Sequence, residues 1–208
     1  MRELLDTVNG LKESEISQEV KNRIDEFFKF KNKSMTEIFR ELCFCILTAN
    51  CNAEKCIEVQ EMVGNGFHEL DESSLSQQLK NLGYRFPNIR AKYIIEARDF
   101  QEQLFEKINS VPDLIEMREW LVKNIKGLGY KEASHFLRNI GFFELAIIDF
   151  HILDLLIRFS IIEKPKSLSK TRYLEIEKIL KEIAKELNLN LAELDLYMWY
   201  METGKILK

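Results

Sequence analysis

The chain has 208 residues, 46% hydrophobic and 31% charged, enough to bury one core or two joined lobes. Its net charge is −4 and its isoelectric point about 5.6, which argues against nucleic-acid binding by bulk positive charge. No apolar run approaches the ~20 residues that a membrane helix needs, and MRELLDTVNG has no signal-peptide pattern, so we expect a cytoplasmic chain with no membrane partner. Its four cysteines, Cys43, Cys45, Cys51 and Cys56, are then expected as thiols.

The pattern is helical almost throughout, with few alternations of strand type, so the fold class is all-α. Ile16, Val20, Ile24, Phe27 and Phe28 are placed on one face of a first helix. Met35 to Ala49 forms a very apolar helix, which puts Cys43 and Cys45 in the core. It stops at Asn50-Cys51-Asn52. A third helix starts near Ala53 and ends at Gly64, and Asp71 opens a fourth that Gly83 closes. The loop Tyr84-Arg85-Phe86-Pro87 leads into a fifth, from about Asn88 to Phe105, and Pro112 opens a sixth. Gly127-Leu128-Gly129 is a tight turn, and Tyr130 to Asn139 is the helix after it. Ile147-Ile148-Asp149 delivers a carboxylate to the head of an eighth helix. Helices over Ser169 to Leu187 and Leu191 to Thr203 follow.

The stretch from Ile125 to Ile152 carries the chemistry. Glycines let backbone approach a phosphate closely, and the amides at the head of the next helix carry the positive dipole end. Lys131 lies in the first turn of that helix, where the dipole and desolvation in a cleft favour a neutral, nucleophilic amine. Asp149 follows eighteen residues later and can relay a proton. Taken singly, the turn is only a turn, the lysine is solvated, and Asp149 is a helix cap. Lys123, Lys126, Lys131 and Arg138 form a local basic rim, with Arg85, Arg90 and Lys92 in an earlier loop.

In this order the residues resemble the helix-hairpin-helix DNA glycosylase superfamily, and within it the archaeal-type 8-oxoguanine DNA glycosylase/AP lyases. FRELCFCILTAN, LKNLGYRFPNIRAKYI, NIKGLGYKEASHFLRNIG, SLSKTRYLEIEKIL and ELDLYMWYMETGKILK carry the likeness, over about Ser14 to Lys208. The resemblance implies a two-lobe fold: a six-helix lobe over 32–143 and a second lobe from 1–31 plus 144–208, with the active site in the cleft between them. It implies excision of 8-oxoguanine from double-stranded DNA through a Schiff base on Lys131, assisted by Asp149, with strand cutting by β-elimination. The enzyme is expected as a monomer that joins the nucleoid when bound to DNA. The alternatives are the same chemistry on another oxidised base, as in endonuclease III, and a non-catalytic helix-hairpin-helix DNA-binding module.

Other roles come from the same likeness. Gly127 and Gly129 approach the DNA backbone. Asn50 enters the gap left by a flipped nucleotide, where residue type alone gives a helix-ending asparagine. Arg85 and Phe86 wedge against the orphaned base, or anchor a loop. Trp199 stacks on the flipped base, although an aromatic stripe is usually core. His135 contacts phosphate or tunes Lys131, with a satisfied structural histidine as the default. Lys208, with its α-carboxylate, reads the N7–H and O8 of the oxidised base, where guanine offers only a bare N7 acceptor. No organic cofactor or catalytic metal is expected, although hairpin carbonyls can hold an alkali-metal ion. No cysteine follows Cys56, so the C-terminal iron–sulfur cluster of some superfamily members is expected to be absent. Two positions depart from the subfamily's pattern: Phe150 where a basic residue is usual, and Cys51 where a bulkier one is.

Overall fold

The computed structural model describes residues 1–110 and 113–208. Among them every regular element is helical: α1 (Arg2–Lys12), α2 (Ile16–Phe30), α3 (Met35–Thr48), α4 (Ala53–Val63), α5 (Gly66–Glu69), α6 (Glu72–Asn81), α7 (Pro87–Ala97), α8 (Gln101–Asn109), α9 (Leu114–Asn124), α10 (Tyr130–Asn139), α11 (Phe150–Arg158), α12 (Lys170–Glu186) and α13 (Leu191–Thr203). A 3-10 turn, Arg98–Phe100, separates α7 from α8.

Short polar side chains start these helices by taking orphan amides at the first turn. Ser34 accepts from Glu37 N–H at 3.3 Å while Glu37 accepts from Ser34 N–H at 3.1 Å, a reciprocal box. Lys33 and Ser34 together hold the Glu37 carboxyl down at about 2. Asn52, Asp71, Ser169 and Asn190 cap α4, α6, α12 and α13 by accepting from the amide three residues on, and Asn190 also forms the reciprocal box with Glu193. Pro112, expected to open α9, lies outside the described residues. Asp113 caps that helix by accepting from Ile115 and Glu116 N–H.

The chain divides into two compact units, 32–136 and 1–31 with 137–208, the division falling inside α10. The first is built on α3, whose Ile38, Phe39, Leu42, Phe44, Ile46 and Leu47 are almost wholly buried among α4, α5, α7 and α8. Fully burying such a side chain contributes about 1.5–3 kcal/mol. In the second unit α13 packs against α1, α2, α11 and α12.

Several details differ from the sequence pattern, the short α5 between Gly64 and Asp71 among them. α1 was not expected: Leu4 and Val8 bury its inner face, and Gly10 is tolerated near its end. The fifth helix is interrupted by the 3-10 turn, where Arg98 donates to the carbonyls of Phe67 (2.9 Å) and Leu70 (2.7 Å) at the end of α5. Phe28 is 59% exposed, because Val20 and Phe27 already occupy the buried stripe of α2.

Candidate active site

The unit over 32–136 carries the glycine turn. Gly127 has φ +87°, and a Cβ there would lie 2.7 Å from the Tyr93 ring and 3.0 Å from an Arg90 nitrogen. Only glycine lets the turn sit that close to α7. Leu128 turns inward and is buried, whereas Gly129 is exposed. The Gly129 carbonyl accepts the first helical bond of α10, from Ala133 N–H at 3.0 Å.

The head of α10 is anchored on α9. The Tyr130 hydroxyl donates to Glu119, and the Tyr130 ring lies 5.0 Å from the guanidinium carbon of the fully buried Arg118. Arg118 also donates to Ser134 Oγ at 3.2 Å. Lys131 follows as the second residue of the helix. Its side chain is 23% exposed, and its Nζ stands 3.6 Å from Glu132 Oε1. Two groups thus fix the backbone on either side of a lysine whose amine stays reachable.

Arg90 joins the turn to the end of α3. It is buried and donates to Ala49 O at 2.8 Å. The next residue, Asn50, is exposed with φ 60°. This is the left-handed residue that commonly ends a helix, and asparagine tolerates it. Arg85 is exposed with its guanidinium 4.8 Å from the Phe86 ring, and Phe86 is half-buried beside Pro87 at the head of α7. His135 is buried, its ring edge-on to Phe44 at 5.6 Å.

The other unit carries Asp149, Trp199 and Lys208. The extended segment before Asp149 is braced by α12. Ala146 N–H donates to Glu177 Oε2 (3.0 Å), Ile148 N–H donates to the Tyr173 hydroxyl (3.2 Å), and that hydroxyl donates to Ala146 O (2.7 Å). Asp149 then caps α11, its Oδ1 accepting from Ile152 N–H at 3.0 Å. Phe150, 65% exposed, lies against the His151 ring at 3.9 Å, and His151 meets the half-buried Trp199 edge-on at 4.8 Å. The Trp199 indole N–H is buried without a hydrogen-bond partner among the described residues. Ile206, Leu207 and Lys208 are all half-buried.

These features can be set beside known proteins. The family model described as 8-oxoguanine DNA glycosylase matches residues 20–189. The chain belongs to that family. It is 52% identical over 207 residues to the 8-oxoguanine DNA glycosylase/AP lyase of Korarchaeum cryptofilum, covering 99% of this chain and 98% of that one. Among solved structures it is similar to the Methanocaldococcus jannaschii 8-oxoguanine glycosylase/lyase in complex with a 15mer DNA containing 8-oxoguanine. The TM-score is 0.95 at 52% identity, over 99% of both chains. It is also similar to the 8-oxoguanine DNA glycosylase of Thermotoga maritima, with TM-score 0.93 and 41% identity, over 100% of this chain and 99% of that one.

Three expectations read from the sequence, all concerning charge, are corrected by the structure. Arg138, expected on the basic rim, is buried, paired with Asp195 at 2.6 Å and set 4.7 Å from the Phe27 ring. Arg90 and Lys92 lie on helix α7 rather than in a loop, and Arg90 is internal. The Gly129 amide, one of the donors at the head of α10, is already taken by Glu132 Oε2 at 3.0 Å. Glu132 was legible: a glutamate three residues after a cap is half of a capping box. Tyr173 and Glu177 carried no such signal.

Proposed function

We propose that this chain is a bifunctional DNA glycosylase/AP lyase that excises 8-oxoguanine from double-stranded DNA, working as a monomer in the cytoplasm on nucleoid DNA. The observation that carries this reading is Lys131: a partly exposed amine in the first turn of a helix that opens directly behind a glycine turn. The relatives' names supply the substrate.

Lys131 Nζ attacks C1′ of the flipped nucleotide, and the bond from C1′ to the base breaks. Asp149 takes up the amine's proton and stabilises the cationic sugar. The sugar ring opens to a Schiff base on Lys131, and β-elimination breaks the bond to the 3′ oxygen. Trp199 offers an aromatic face to the flipped base, and Lys208 an ammonium for O8 of the oxidised purine. Asn50 fills the vacated space, Arg85 and Phe86 wedge against the orphaned partner, and His135 supports α10 from within. The glycine turn meets the backbone phosphates, and its carbonyls suit an alkali-metal ion. The steps themselves draw on no organic cofactor and no iron–sulfur cluster.

The test is borohydride trapping on a duplex containing 8-oxoguanine. The natural chain should form a covalent adduct and cut the strand, whereas Lys131→Gln should do neither while still binding the duplex. An adduct formed by Lys131→Gln would refute the assignment.

A further inference from the structure

The turn between α3 and α4 holds two thiols that this chemistry does not use. Asn52 caps α4 by accepting from Lys55 N–H at 3.1 Å. Cys51 is therefore the residue before the cap, and Cys56 the fourth residue of the helix. Side chains at these two positions commonly meet across a helix head, and are commonly apolar. Here both positions are cysteines, and the two side chains interact across the head of α4. Cys56 is wholly buried and its thiol donates to Leu47 O at 3.4 Å, whereas Cys51 is half-exposed. Cys56 has one proton to give, and an ionised Cys51 is the stronger acceptor.

Their surroundings divide the roles. Cys51 takes hydrogen bonds from Cys56 and from the Asn52 amide, and feels the charges of Arg85 and Arg90, which outweigh its partial burial and lower it to about 7. Cys56 is pushed up, first by Cys51 and then by burial, with Lys131 acting in the opposite direction. Tyr84 and Cys45 are the other ionisable groups packed around the pair. An accessible, ionised thiol facing a buried, protonated one is the arrangement of an attacking and a resolving sulfur. Cys43, fully buried and pushed up by that burial, has no such setting.

We propose that Cys51 and Cys56 form an oxidisable dithiol, which a hydroperoxide converts to a disulfide across the head of α4. The Cys51 thiolate attacks a peroxide oxygen; the O–O bond breaks, hydroxide or alkoxide leaves, and the sulfur becomes a sulfenic acid. The Cys56 sulfur then attacks Cys51, the S–O bond breaks, and water departs with the Cys56 proton. The sulfur pair loses two electrons and the peroxide gains them. The disulfide ties down the turn that carries Asn50, and it changes the surroundings of Lys131, whose charge Cys56 senses. This consequence rests on the function proposed above; the sulfur chemistry does not.

The full chain, treated with hydrogen peroxide at pH 7 and analysed by intact mass and peptide mapping, should lose two hydrogens and yield a peptide linked between Cys51 and Cys56. Cys51→Ser should give no link. Cys56→Ser should accumulate a sulfenic acid at Cys51 that dimedone traps. Iodoacetamide should alkylate Cys51 with a half-maximal rate near pH 7, where a free thiol titrates at ~8.5. Absence of the link, or a Cys51 profile centred near pH 8.5, overturns the proposal. Strand cleavage by the oxidised protein should fall several-fold and return with dithiothreitol, while Cys51→Ser treated alike should keep its rate. Unchanged cleavage by the linked protein would sever the dithiol from the active site. Inactivity of the reduced protein would instead count against the proposed function.

Discussion

At the scale of single residues, Asp149 combines two jobs that substitution can separate. Its Oδ1 caps α11 through Ile152 N–H, and its charge is assigned to the cationic sugar. Asparagine caps a helix about as well as aspartate but carries no charge, whereas alanine does neither. Asp149→Asn should therefore melt close to the natural chain while base removal slows by ~10² or more, the usual scale for a lost general base. Asp149→Ala should add the cost of the cap, ~1 kcal/mol, or about 2–4 °C in melting temperature for a chain of this size. Calorimetry beside single-turnover kinetics reads both. Near-normal base removal by Asp149→Asn would remove Asp149 from the chemistry and leave it a cap. Asn50 has the same double character: its positive φ explains an asparagine without any DNA, and its exposure leaves the side chain free to do more.

At the scale of elements, the segment Leu145–Ile148 shows what a helix must supply when no sheet is at hand. Buried extended backbone needs partners for its amides and carbonyls. Tyr173 and Glu177, one turn apart on α12, provide them and so fix the approach to Asp149. Tyr173→Phe keeps the ring but strands Ile148 N–H and Ala146 O, and an unsatisfied buried group costs ~1–3 kcal/mol. We expect a drop in stability of that order and a fall in kcat larger than in DNA affinity. An equal loss in both would reduce Tyr173 to a purely structural part. Here the sequence was opaque. Periodicity marked Tyr173 as an inward residue of a long helix, but nothing tied its hydroxyl to backbone 25 and 27 residues away. The helices themselves were legible because their caps are local: Ser34, Asn52, Asp71, Ser169 and Asn190 each stand just before an apolar period. The glycine turn, Lys131 and Asp149 were legible for the same reason, being short-range signals in fixed order. The fate of the arginines was not, because burial of Arg90, Arg118 and Arg138 depends on acceptors and rings from other elements.

At the scale of the whole molecule, charge sets how the chain can meet DNA. The thirty Lys and Arg are outnumbered by thirty-four Asp and Glu. Three of the arginines are internal struts, so the bulk composition overstates the positive charge on offer. Lys123 and Lys126 are exposed just before the glycine turn, Arg85 and Lys92 are exposed before and on α7, and Lys126 is already paired with Glu96 at 3.0 Å. Binding should then rest on few phosphates, with backbone amides and stacked bases supplying the rest. Each phosphate neutralised contributes about −0.9 to the slope of log K against log salt concentration, so three or four contacts give a slope of about −3 to −4. The slope can be measured by fluorescence anisotropy of Lys131→Gln on a lesion duplex between ~50 and ~200 mM salt, the range over which counterion release is usually followed. Lys123→Gln should flatten the slope by about 0.9 and weaken binding to damaged and undamaged duplexes alike, the mark of a phosphate contact. A slope steeper than about −6 would mean roughly seven phosphates are engaged, more than Lys123, Lys126, Arg85 and Lys92 could neutralise. DNA would then have to lie across a second basic surface, away from the glycine turn.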